Sequence, residues 1–187
     1  MKIAKFWKFL MPIGLVVHVS AATASDIGVR RYELPDHGAI EFRIPTEWKD
    51  HVNQPPRRLP PTIVLEAKGG APFQVLITPI WPARKDAPPS SAASLREIVQ
   101  GSIERAKSQA VEKEITIREL DHAPGPGFYF SATDRAPNPG EYSQLTQGML
   151  RLEDLSIAFT ILTNSGQERI VADALKILRS AVRAAQL

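Results

Sequence analysis

Two stretches of the chain alternate apolar and polar residues in the manner of strands. Each is followed by a stretch with apolar residues at helical spacing, which predicts the order strands, helix, strands, helix. In the first stretch Ile40, Phe42 and Ile44 share one face of residues 39–44. The turn Pro35-Asp36-His37-Gly38 joins this run to residues 30–34, predicting a hairpin whose second strand is half buried. Pro45-Thr46-Glu47-Trp48 closes the run, with Trp48 expected to plug a sheet end, and residues 54–61, which hold four prolines, form a loop. Residues 62–67 and 73–81, rich in Ile, Val and Leu, make a second hairpin across Lys68-Gly69-Gly70-Ala71.

Residues 82–94 are rich in Ala, Pro and Ser and lead into the first helix. Ser94 and Glu97 have the spacing of a capping box, in which each side chain satisfies a free backbone N–H, so the helix is expected to begin there. Its packed face is Leu95, Ile98, Val99, Ser102, Ile103, Ala106 and Ala110. Strands are expected again at 114–120, 128–133, roughly 142–152 and 155–163, with turns at Pro124-Gly125-Pro126-Gly127, Pro137-Asn138-Pro139-Gly140 and Glu153-Asp154. Ser165 and Glu168 repeat the capping spacing before a last helix whose stripe runs from Ile170 through Leu178 to Ala185. Hairpins dominate the connections, so the class is α+β, an antiparallel β-sheet with helices packed against it.

The first 24 residues change how the composition is read. Lys2, Lys5 and Lys8 precede an apolar stretch at residues 9–19, and Ala22-Thr23-Ala24 offers the small residues of a cleavage site, the pattern of an export signal cut after Ala24. The stretch is shorter than the about 20 residues that span a bilayer, so no stable membrane anchor is expected after cleavage. The whole chain has 187 residues and holds 23 Lys plus Arg against 20 Asp plus Glu; losing those three lysines leaves 20 against 20. A neutral chain has no general attraction for polyanions, and no nucleic acid is expected as a partner. Residues 25–187 then suit a single domain, periplasmic or secreted. The chain has no cysteine, which removes disulfides, thiol nucleophiles, cysteine-ligated metals and a lipid-bearing cysteine.

The run Gly38-Ala39-Ile40-Glu41-Phe42-Arg43-Ile44-Pro45-Thr46-Glu47-Trp48, a strand ending in proline with a tryptophan close behind, resembles the opening of PsbP-like and DcrB-like proteins. The helix after Ser94, the strand Gly127-Phe128-Tyr129-Phe130, the long hairpin and the closing helix follow in the order of that family across nearly all of residues 25–187. The resemblance implies a PsbP-like α/β/α sandwich and, commonly, a non-enzymatic accessory role. It carries over no site residue, because the matching positions are those that build the fold.

A search for chemistry yields few constellations. His37, His51 and His122 are widely separated and none has a helical i, i+4 partner, although Asp36-His37 and Asp121-His122 could meet with Asp134 or Glu41 as oxygen ligands. Loop-borne Asp and His are ordinary turn formers, and no metal site is expected. No Gly-x-Ser-x-Gly elbow, phosphate-binding loop or dinucleotide fingerprint occurs, so no catalytic residue and no cofactor is assigned. Glu112 with Glu114, and Glu153 with Asp154, sit in polar connections where solvation is the default.

Aromatic residues and loops carry the contact expectations. Phe128 and Phe130 alternate onto one strand face and belong to a core, which leaves Tyr129 and Tyr142 as candidate contacts. Arg57 and Arg58, in the proline-stiffened loop, are the other two, suited to an acidic partner because a stiff loop loses less entropy on docking. These features describe an exported accessory or binding module whose partner is an envelope protein or complex. A small periplasmic enzyme with an unrecognised site and a carrier of a small apolar ligand are the alternatives.

Overall fold

A computed structural model describes residues 26–56, 59–82, 88–121 and 125–185. Its elements are β1 (Ile27–Glu33), β2 (Ala39–Pro45), β3 (Trp48–Asn53), β4 (Thr62–Ala67), β5 (Gln74–Ile80), α1 (Ala92–Ala106), β6 (Arg118–Glu119), β7 (Gly127–Thr133), β8 (Gln144–Leu152), β9 (Leu155–Thr163), α2 (Glu168–Arg179) and β10 (Val182–Ala184). The strands form two antiparallel sheets, one in the order β1-β2-β10 and one in the order β3-β4-β5-β9-β8-β7-β6. The chain is therefore α+β, with helices packed on antiparallel sheets.

Alternation within each strand distributes side chains between two cores. Towards α2, the large sheet presents Ile63 and Leu65 of β4, Val75 and Ile77 of β5, and Ile157, Phe159 and Ile161 of β9. These meet Ile40, Phe42 and Ile44 of the small sheet and Ala174, Ile177 and Leu178 of α2 in the larger cluster. On the opposite face Leu95, Val99 and Ile103 of α1 pack against Phe128, Phe130 and Ala132 of β7 and Met149 of β8. The layers are α1, the large sheet, and then α2 with the small sheet.

Several boundaries depart from expectation. Trp48 opens β3, an edge strand whose remaining residues are exposed and so carry no alternation to read, and its ring packs on Phe73 with centroids 4.5 Å apart at the end where β4 and β5 meet. The first helix begins before Ser94, because the Ser91 side chain accepts the Ser94 N–H at 3.1 Å and serves as N-cap. Ile98 is 48% exposed, outside the face formed by Leu95, Val99 and Ile103. The 114–120 strand shrinks to the two residues of β6, while Ile115 and Ile117 use their alternation to pack against the α1 cluster without a ladder. Ser165 does not cap α2, whose N-cap is Gln167 and whose first turn has no side-chain capping bond from it. The last helix stops at Arg179, and Val182–Ala184 leaves it to pair with β2.

One residue in β8 is fixed by its neighbours. A Cβ at Gly148 would lie 2.3 Å from the Phe128 carbonyl oxygen and 2.5 Å from Cζ of Phe159. Only glycine lets Phe159 and Tyr129 converge over the middle strands.

Candidate functional site

The α1 cluster is narrower than the sheet it covers, and a cleft opens beside it. The cleft, of about 350 Å³, has as its wall the C-terminal half of α1, with Ser102 and Arg105, and Gln109 just beyond the helix, and Leu145, Gln147 and Leu162 on its floor. Its rim is the β7–β8 connection, with Asp134 and Tyr142. The strand period explains the floor: Leu145 and Gln147 are two apart on β8, and Leu162 of β9 is the direct partner of Leu145. Asp134 is held by the backbone bridge between Ala110 and Asp134, and its carboxylate accepts the Ala136 N–H at 2.9 Å.

The side chains around this cleft are unevenly committed. Gln147 donates to Thr160 Oγ1 at a long 3.4 Å, and Arg105 donates to Ser102 Oγ at 2.9 Å. The side-chain amides of Gln109 and Gln144 and the Tyr142 hydroxyl make no hydrogen bond with another described residue, Gln144 being turned towards the α2 face by the strand period. Burial, and then the charge of Glu66, raise the Tyr142 phenol above its ordinary pKa, so it stays a neutral donor and acceptor. The cleft thus combines a free amide and a phenol with an apolar floor.

A second cleft of about 360 Å³ lies across the sheet, between α2 and the end of the β7–β8 pair. Ser131 and Thr146 share a hydrogen bond of 2.8 Å on its floor, and Val171, Ala172 and Leu175 of α2 form one wall. Glu112 reaches over from the segment after α1, accepting the Thr133 N–H at 2.9 Å and its hydroxyl at 2.8 Å. Burial pushes the Glu112 carboxyl up, but the two Thr133 donors outweigh it and hold the group below the ordinary carboxylate range.

The expected contact residues separate. Tyr142 stands at the rim of the first cleft, half-buried. Tyr129 is 9% exposed and belongs to the larger core, so its ring is a packing element and not part of either cleft. Arg57 and Arg58, with His122, lie outside the described residues. His37 stacks on Trp81 with centroids 4.3 Å apart, and its carbonyl accepts a bond from Arg183, which also faces Asp154 at 3.5 Å. That cluster ties the end of the chain to two hairpin turns. Among the described residues no group of three or more His, Asp or Glu is placed to hold a metal ion. Reading the sequence missed Gln109, Gln144 and Gln147: polar positions in a strand pattern look solvated, and only the width of α1 turns them into a cleft lining.

No protein-family model and no curated protein sequence matches the chain. Among solved structures it is similar to the solution structure of cyanobacterial PsbP (CyanoP) from Synechocystis sp. PCC 6803. The two share 14% sequence identity and a TM-score of 0.48, with 92% of this chain and 99% of that chain covered. The likeness is one of fold.

Proposed function

We propose that the protein is an exported, soluble, non-catalytic accessory or binding module of the bacterial cell envelope, and that it works through the cleft between α1 and the large sheet. The observation that carries this reading is the set of uncommitted polar groups there. The Gln109 side chain and the Tyr142 hydroxyl line a cleft with an apolar floor and have no hydrogen-bond partner among the described residues. A concave, mostly preformed site with a few convergent polar groups is the form that recognition sites take. Export is supported by the basic, apolar and small-residue pattern of residues 1–24. Among the described residues no helix is long and apolar enough to cross a membrane.

The test places a photoreactive residue at Tyr142 and, as a control, at exposed Val111 in the full-length protein expressed in a Gram-negative host. Mass spectrometry then identifies bound proteins and extracted small molecules, and the N-terminus of the recovered protein is read. The reading expects a mature N-terminus at Ser25 and an adduct at position 142 that position 111 lacks. Retention of residues 1–24 would remove the export step; equal labelling at both positions would remove the cleft.

A further inference from the structure

The cleft beside α1 is lined by two charged side chains, Arg105 and Asp134, and neither has a counter-charge. Arg105, in the last turn of the helix, donates to Ser102 Oγ and makes no ion pair with a described residue. Asp134, half-buried at the rim, accepts the Ala136 N–H on Oδ1, which leaves Oδ2 open, and likewise makes no ion pair. Glu66, whose charge reaches Tyr142 at the rim, is already paired with Lys49 at 3.1 Å. The main chain that carries the two charges is stitched together. The Arg135 N–H donates to the Gln109 carbonyl and the Arg135 guanidinium to the Ala110 carbonyl, both at 2.8 Å, so the wall and the rim are joined before any ligand arrives.

One cation and one anion in a single cleft select among ligands. A simple anion would satisfy Arg105 and set like charge against Asp134, and a simple cation would do the reverse. An uncharged molecule seated over both would take water from two charges without replacing it by bonds of equal strength. A molecule carrying both a carboxylate and an ammonium answers each with a charge-assisted hydrogen bond, the stronger kind. The floor adds a third requirement, because Leu145 and Leu162 are direct cross-strand partners and offer one apolar surface. The volume of about 350 Å³ lies near the lower end of the roughly 300–1,000 Å³ of ligand pockets and suits a small molecule.

Resting on the reading that this cleft is the working site of a binding module, we infer that it takes a free α-amino acid with an apolar side chain. Arg105 holds the carboxylate, Asp134 holds the ammonium, and the side chain lies on Leu145 and Leu162. The test is isothermal titration of the purified protein with leucine and three relatives: isocaproate, which lacks the ammonium, isoamylamine, which lacks the carboxylate, and glycine, which lacks the side chain. Leucine should bind tighter than each by about tenfold or more, the weight of one charge-assisted bond or one buried side chain. Arg105→Gln should weaken leucine by a similar factor without weakening isoamylamine, and Asp134→Asn should do so without weakening isocaproate. Asp134→Asn keeps the oxygen that accepts the Ala136 N–H, and thermal unfolding reports that both variants are folded. Should one unfold, the analogue series on the unaltered protein carries the comparison. Any of the three relatives binding as tightly as leucine overturns the amino-acid assignment, as does a loss in either variant that falls equally on its control analogue. No binding of leucine, alongside a specific adduct at position 142 in the envelope, overturns the amino acid and leaves the binding module standing. Absence of both signals removes both.

Discussion

The face of the large sheet that meets α2 and the face that meets α1 are made by alternate residues of the same strands, yet they close differently. Towards α2 the apolar positions extend across β4, β5, β9 and β8 and are matched by a helix and a second sheet. Towards α1 the buried apolar positions gather on β7 and β8 under one three-residue helix stripe, with Ala158 of β9 at their margin, and the cleft beside them mixes Leu145 and Leu162 with amide and hydroxyl groups. The first face fixes the fold, and the second keeps uncommitted polar groups. Burial is the driving term in folding, so the two faces should differ in how much stability one side chain carries.

The sharpest way to break that comparison is to remove a large side chain from each core. Phe159→Ala should cost about 4 kcal/mol, since a fully enclosed ring leaves a cavity that α2 and the small sheet cannot both collapse into. Ile103→Ala on the α1 side should cost about 2 kcal/mol, because α1 can shift towards the adjoining cleft. Chemical denaturation of the two variants gives the difference directly, and equal losses would show that the α1 side is packed as tightly as the other.

Gly148→Ala probes the layer shared by both. The added methyl would meet backbone and the Phe159 ring at distances that require the strand to move, and a loss of about 3 kcal/mol is expected. Combining it with Phe159→Ala sharpens the test: the truncated ring leaves room, so the double variant should lose less than the sum of the two. Additive losses, measured by the same denaturation, would place the clash on the Phe128 carbonyl and the Tyr129 Cβ.

The same contrast explains what was legible in the sequence. Where a strand has one deeply buried face, the alternation reads directly, as at Ile40, Phe42 and Ile44 or along β9. Where burial is weak the period vanishes: β3 exposes all but Trp48, and its pairing with β4 depends on backbone bonds that side chains do not announce. The end of α2 misled for a different reason. Ala181 and Val182 continue a helical stripe, yet Ala181 is buried without helix because the chain turns at Ser180 and gains a ladder to β2. The clefts were invisible because they arise from the spacing of α1 and of α2 against the sheet, a property of assembled elements. Of the two described contact candidates Tyr142 lies at a cleft, and nothing in its sequence setting distinguished it from Tyr129 except the strand register that buries the latter.

Helix ends give a smaller measure of the contrast. α1 is held at its start by a side-chain bond from Ser91 to the Ser94 N–H, while α2 has no side-chain cap and relies on its packed face. Ser91→Ala should therefore cost about 1 kcal/mol, and Ser165→Ala close to nothing. A comparable loss in both, read from thermal unfolding, would restore Ser165 as a cap in solution.

The smallest effect expected is also the most specific, because it reports on the β7 edge beside the second cleft. Glu112 is held below the ordinary carboxylate range in the folded chain by the Thr133 N–H and hydroxyl, against the opposing pull of burial. A folded pKa below the unfolded one means that the contribution is complete above the ordinary carboxylate range. It is lost as pH falls through that range to the folded value. Glu112→Gln keeps the shape and removes the charge, so wild type should be the more stable protein at neutral pH by less than the Ser91→Ala loss. The difference should shrink steadily as the solution is acidified. A difference that stays constant down to about pH 3 would mean that Thr133 binds the amide as well as the carboxylate, so that the β7 edge is held by shape and not by charge.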